Sequence, residues 1–296
     1  MAANPVLKRL GLSDKDRVAV LHADDVGMCQ ATVEAFARLD EFGLMACGAV
    51  MVPCPWFPEV AAYARSHPQA DLGVHLTLTC EYDLYRWGPI STRDPHSGLL
   101  DEEGFQPKRS DLVQQTLDPA AARLEMETQV QRALSFGIDV SHIDTHMGTV
   151  MHPKLIQSYI ELSLKYRVPG MIPRWDEATL ARRGLDSETA KMFAKALQEL
   201  EANGVPLVDG YVGLPLDKPD DRLEQAKQTF ADLPAGLTHF LFHPAVDTPE
   251  LRAITSSWPA RAADYETFMR EDLRRYVRDS GVVEIGYRRL RELIRA

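Results

Sequence analysis

Short apolar runs alternate with stretches of helical spacing along almost the whole chain, and that alternation restricts the fold more than any other feature. Residues 17–23, RVAVLHA, follow a polar lead-in and end in two aspartates, as expected of a buried strand with polar residues at its C-terminal end. Residues 30–42 then place Val33, Ala35, Phe36, Leu39 and Phe42 at helical spacing, and Gly43 stops the helix. A second apolar run, 44–52, is closed by Pro53 and Pro55, and a short helical pattern follows over 57–66. Further strands are expected at 71–79, 140–147, 170–174, 205–212, 239–243 and 282–287. A helix over 119–136 has Leu124, Val130, Ala133 and Leu134 as its expected buried stripe. Seven or eight short strands alternating with helices imply an α/β fold of parallel βα units, closed as a barrel or opened as a doubly wound sheet. No glycine-rich phosphate fingerprint follows the first strand, which disfavours the dinucleotide-binding form.

The 296 residues exceed the usual domain size, but α/β barrels run to roughly 250 residues as one unit, so one domain over 1–296 is the expectation. A net charge of -10 repels nucleic-acid phosphates and anionic membranes, and neither is an expected partner. Arg288, Arg289, Arg291 and Arg295 interleave with Leu290, Leu293 and Ile294, the pattern of the solvated side of a terminal helix. Cys29, Cys47, Cys54 and Cys80 lack CxxC spacing and are read as reduced thiols. The first residues carry no continuous apolar run, so a cytoplasmic protein is expected. One connection breaks the rhythm: residues 80–107 have neither periodicity, and loops of that length tend to be functional.

Polar residues recur at the same end of several expected strands, where α/β barrels build active sites. Asp24 and Asp25 end the first, His75 lies in the third, His142, Asp144 and His146 in the fourth, and His243 ends the seventh. Singly each has an ordinary explanation. Paired aspartates are often a helix cap and its solvated neighbour, and a histidine in an apolar run is by default a hydrogen-bonded core residue. His142, Asp144 and His146, spaced by two, project from one strand face, which packing alone explains less well. A divalent metal explains the set: one Asp and two His supply the three ligands of an open catalytic site, a second aspartate takes a proton from acidified water, and His243 approaches as acid. His22 is read as facing the helices and His239 as pointing toward the barrel's other end; His67, His96 and His152 fall in loops.

The stretches HADDVG at 22–27, GVHLTLT at 73–79, HIDTHMG at 142–148 and FHP at 242–244 together resemble the YdjC-like (ChbG/HpnK) carbohydrate deacetylases, distant relatives of the NodB-type polysaccharide deacetylases. The resemblance implies an irregular TIM-like barrel that removes N-acetyl groups from amino sugars. It makes Asp25, His75 and His146 the metal ligands, Asp24 the base and His243 the acid. Two departures stand out. His22 occupies a position where the family usually has asparagine, and Met147, Gly148 and Val150 replace further histidines.

The expected reaction is deacetylation of an acetylated amino sugar or short oligosaccharide with one divalent ion, zinc by the softness of two imidazoles or magnesium by the resemblance. The metal would polarise the acetamide and activate water, Asp24 accept the proton, and His243 protonate the amine. Arg174 is expected to orient Asp24 or a sugar hydroxyl, and Trp87 and Tyr85 to stack on a sugar ring. Competing readings are another metal-dependent barrel hydrolase or isomerase acting on a sugar or phosphoester, and a sugar-binding protein without turnover. A homodimer is compatible with all of them.

Overall fold

The computed structural model describes residues 3–296. Seven strands run parallel: β1 Arg17–Val26, β2 Cys47–Val50, β3 Leu72–Leu76, β4 Ile143–Thr145, β5 Gly210–Gly213, β6 Gly236–Phe242 and β7 Val283–Glu284. Their order is β4-β3-β2-β1-β6-β5, with β7 paired to β1. β7 takes the start of β1, at Val18 and Ala19, while β2 takes its end, from His22 to Val26. The open side is bridged by residues 170–173, where Gly170 pairs with Ile143 and Pro173 with Val208. The fifth expected strand, 170–174, is thus reduced to two bridges, because Pro169 and Pro173 remove two of the amide donors a ladder needs. The result is an irregular, TIM-like α/β barrel.

Helices pack outside this sheet as short crossovers require. Gln30–Phe42 and Phe57–Ser66 keep the bounds their apolar spacing predicts, the first ended by Gly43 in the left-handed conformation at φ 78. Helix Pro119–Ser135 corrects the expected stripe: Val130 and Ala133 are buried, but Leu124 and Leu134 are exposed, and Glu125 and Gln129 take their places. The reason is the long connection. Glu125 accepts the Ile90 and Ser91 amides at 3.1 and 2.7 Å, and Gln129 accepts the Thr77 amide at 2.9 Å, so this face of the helix ties the 80–107 segment to the barrel.

The terminal helix Tyr287–Arg295 is likewise less solvated than its charges suggest. Arg291 is buried, donating to Asp139 and to the Val140 carbonyl at 2.6 and 2.9 Å. All four cysteines are buried and unpaired. Among the described residues, no helix is long and apolar enough to cross a membrane.

Candidate active site

The C-terminal ends of β1, β3, β4 and β6 converge, and the backbone of β1 is shaped for it. Side chains alternate along a strand, so adjacent aspartates should point to opposite faces. Here the pairing with β2 slips between Ala23 and Val26, and Asp25 itself takes a left-handed conformation at φ 61. Such a backbone costs a non-glycine residue about 1 kcal/mol or more, and aspartate is among those that tolerate it. Gly27, at φ 87, completes the turn where an added Cβ would sit 3.0 Å from Val60. The bend therefore begins at Asp25, before Gly27. Both carboxylates face inward as a result.

Asp25 Oδ1 lies 3.4 Å from His75 Nε2 and 3.1 Å from His146 Nδ1. Each imidazole meets a further carboxylate at its other nitrogen: His75 Nδ1 lies 3.2 Å from Asp144 Oδ2, and His146 Nε2 bonds Glu81 at 3.0 Å. Asp24 turns Oδ2 toward the same mouth, 4.0 Å from His75 Nε2 and 3.8 Å from His243 Nε2. Arg261, from helix Trp258–Phe268, places Nη1 2.9 Å from Asp25 Oδ2. His146 does not end a strand; β4 stops at Thr145, and the following turn passes through left-handed Met147 and Gly148.

Burial opposes charge on every one of these groups, and on all but His243 their partners outweigh it. Burial raises the Asp25 carboxyl, but the charges of Arg261 and His146 hold it well below the carboxylate range. Burial lowers His75, but contacts with Asp144 and Asp25 carry it well above the imidazole range. His146 is carried against burial to about 9 by the charges of Glu81 and Asp25. His243, shielded by burial and only partly offset by Asp25 and Asp24, is lowered. Asp24, Asp25, Asp144 and Glu81 thus surround the two imidazoles, and their negative field raises both. A cation fits the same place. The Asp25, His75 and His146 donor atoms lie within 4.8 Å of one another, a one-carboxylate, two-imidazole set suited to a divalent ion.

The five candidates Asp24, Asp25, His75, His146 and His243 are therefore brought together. Three others are not. Arg174 engages Glu201 and Asp209, the latter at 2.7 Å, instead of orienting Asp24. Trp87 is buried, donating Nε1 to the Thr79 carbonyl at 3.0 Å in the loop's own core, closed to a sugar ring. Tyr85, half-buried, donates its hydroxyl to the Met28 carbonyl at 2.7 Å. His22 faces the barrel interior and not the helices, its Nδ1 2.6 Å from Asp24 Oδ1. His239 also lies inside, its ring centroid 4.7 Å from that of His22.

Sequence reasoning passed over Glu81, Arg261 and Asp264. Glu81 lies two positions beyond the GVHLTLT stretch, a signal available in the sequence. Arg261 and Asp264 are a charged pair three apart in an alanine-rich helix, both buried. Asp264 accepts the His243 amide at 2.9 Å and pairs with Arg222 at 2.9 Å, which fixes the end of β6.

Comparison with known proteins fits this geometry. The profile of the YdjC-like protein family matches residues 18–279. A carbohydrate deacetylase of Thermus thermophilus is 32% identical over 270 residues, covering 91% of this chain and 92% of that protein. One of Thermoanaerobacter pseudethanolicus is 23% identical, covering 90% and 97%. The crystal structure of a protein described as a putative cellobiose-phosphate cleavage protein, from Enterococcus faecalis, superposes with a TM-score of 0.72 at 19% identity, over 92% of this chain and 98% of that one. That last likeness is one of fold.

Proposed function

The chain belongs to the YdjC-like family, and from that premise we propose that it is a metal-dependent deacetylase of N-acetylated amino sugars or short oligosaccharides. The observation that carries the reading is the division of labour around Asp25. Two imidazole nitrogens approach its Oδ1, while a second carboxylate and a third imidazole, Asp24 and His243, face the same mouth from different strands. Binding alone has no need of the latter pair.

Asp25, His75 and His146 would hold the ion. When bound, a divalent cation there supplies Lewis acidity for the acetamide oxygen and lowers the pKa of water. Water adds to the acetamide carbon and the C–N bond breaks, leaving acetate and a free amine. Asp24, lowered against its burial first by the His22 hydrogen bond, accepts the water proton on Oδ2. His243 Nε2, 3.8 Å from that oxygen, is placed to pass the proton on to the departing amine. Arg261 balances Asp25 and keeps its second oxygen turned away from the imidazoles.

The test is acetate release from a panel of acetylated amino sugars, monomers to short oligomers, by protein stripped of metal and reloaded with zinc or magnesium. Metal-dependent release of acetate with an equal amount of free amine supports the reading. Phosphoester cleavage, sugar isomerisation, or tight sugar binding without turnover would each replace it.

A further inference from the structure

Beneath the candidate base lies a column of buried rings that the reaction above does not use. His22 precedes Asp24 by two on β1 and so projects to the same face. It is fully buried, with Nδ1 2.6 Å from Asp24 Oδ1 and Nε2 2.8 Å from His142 Nε2. His142 Nδ1 continues the line to the Ser141 hydroxyl at 2.8 Å. The rings are wedged. His142 stacks on Tyr287 at 4.0 Å, and its other side rests on Gly73, where a Cβ would come within 2.5 Å of ring atoms. His239 tilts against His22 and bonds the Tyr287 hydroxyl at 2.9 Å.

We propose that His22 is a positioning residue for Asp24, donating Nδ1–H to Oδ1, with its tautomer fixed by His142. The inference rests on the reading of Asp24 as the base. Hydrogen counting carries the assignment. A carboxylate oxygen accepts, so His22 Nδ1 bears hydrogen, and in the neutral tautomer with hydrogen on Nδ1 the other nitrogen, Nε2, is bare. Two nitrogens 2.8 Å apart share one hydrogen, which therefore sits on His142 Nε2. His142 Nδ1 is left bare and accepts from Ser141. Burial, which lowers His142 well below the imidazole range, agrees with a neutral ring. The two oxygens of Asp24 thereby acquire separate tasks: Oδ1 is anchored from behind, and Oδ2 alone is presented to the mouth.

The same region has a rival use. His22, Asp24, Asp144 and His239 bring donor atoms within 4.8 Å of one another, as a closed cation site would. A cation held there would take His22 Nδ1 and so displace its contact with Asp24 Oδ1; the two uses exclude each other, and metal content per chain separates them.

The experiment compares His22→Phe, which keeps a ring and loses the donor, with His22→Asn, whose amide nitrogen falls near the position of Nδ1. Steady-state acetate release, metal content per chain and, in the metal-free protein, the NMR resonance of the His22 Nδ1 proton are read together. We expect kcat to fall about 10- to 100-fold in His22→Phe, the scale of a lost hydrogen bond to a charged group, with KM and metal content unchanged. His22→Asn recovers most of the loss. The deshielded imidazole proton disappears in both variants and shifts in Asp24→Asn. Wild-type kcat in His22→Phe, or His22→Asn as slow as His22→Phe, overturns the proposal. Loss of a second metal equivalent in either variant assigns the cluster to a cation instead. Should His22→Phe not fold, His22→Asn and the proton resonance decide. A wild-type protein that releases no acetate defeats the deacetylase reading, whereas a missing Nδ1 proton defeats this one.

Discussion

His75 and Asp144 are register partners on two neighbouring parallel strands, and Nδ1 of the imidazole lies 3.2 Å from the carboxylate Oδ2. Occupation of Nδ1 leaves Nε2 as the nitrogen turned to Asp25. His146 repeats the relationship with Glu81, in the opposite sense: Nε2 meets the carboxylate and Nδ1 turns inward. Each candidate ligand histidine is thus held from behind by its own acid, the arrangement that fixes ring orientation and raises ligand basicity in metal sites.

Asp144→Asn and Glu81→Gln should therefore each weaken metal binding by about 10- to 100-fold without displacing a ligand. Competition against a chromophoric chelator measures it. Unaltered affinity in both variants would mean that the rings are oriented by packing alone.

Protons and the cation compete for the same nitrogens. With His146 near 9 and His75 raised above the imidazole range, metal affinity should climb as pH rises from 6 through about 9. Calorimetry in two buffers of different ionisation heat should detect protons released on binding; an affinity independent of pH contradicts it. Stability of the metal-free protein should move the other way. A folded-state value above the unfolded 6.5 contributes stability that is full below 6.5 and lost as pH rises through about 9.

Arg261 supplies a permanent positive charge beside Asp25, in addition to that of the raised imidazoles. Arg261→Met strips a buried partner from a buried carboxylate, a change that costs about 3–5 kcal/mol. A bound cation replaces much of that charge. The variant should therefore lose more melting temperature in its metal-free form than in its loaded form, so that added metal raises Tm more than it does in the wild type. Equal losses in both forms would show that Arg261 acts by packing.

How much of this was legible beforehand divides by the range of the signal. Helix Gln30–Phe42 is written locally, in apolar spacing and a terminal glycine, and its bounds follow. The inward turn of His75 and Asp144 follows from strand alternation. Arg174 was misplaced because its apparent strand is two bridges flanked by prolines, and its guanidinium serves Glu201 and Asp209. Glu125 and Gln129 fall outside the apolar stripe, and their partners, the Ile90, Ser91 and Thr77 amides, are distant in sequence, so no local pattern marks them as buried. Arg261 sits 236 positions from Asp25, and no local pattern pairs them. Gly73 makes the same point in reverse: it reads as a weak strand residue, and its purpose is room for the His142 ring.

The two adjacent aspartates offer the sharpest separation of roles, because one backbone irregularity turns both into the site while giving them different neighbours. Asp25 Oδ1 faces two imidazoles and its Oδ2 faces Arg261, so the carboxylate is surrounded by groups that bind or balance a cation. Asp24 has His22 behind it and the more distant His75 and His243 nitrogens in front, so its outer oxygen faces the mouth, where the proposed reaction puts the water. Asp25→Asn halves the negative charge of that adjacent pair and should lose metal affinity first, with activity recovering only in part at high metal concentration. Asp24→Asn should bind metal as the wild type does and lose about 10²-fold or more in kcat, the scale for removing a general base. Metal titration of both variants beside their acetate-release rates makes the comparison. Should Asp24→Asn lose the metal while Asp25→Asn keeps it, the two roles exchange, and the left-handed turn at Asp25 would serve to present the base instead of the ligand.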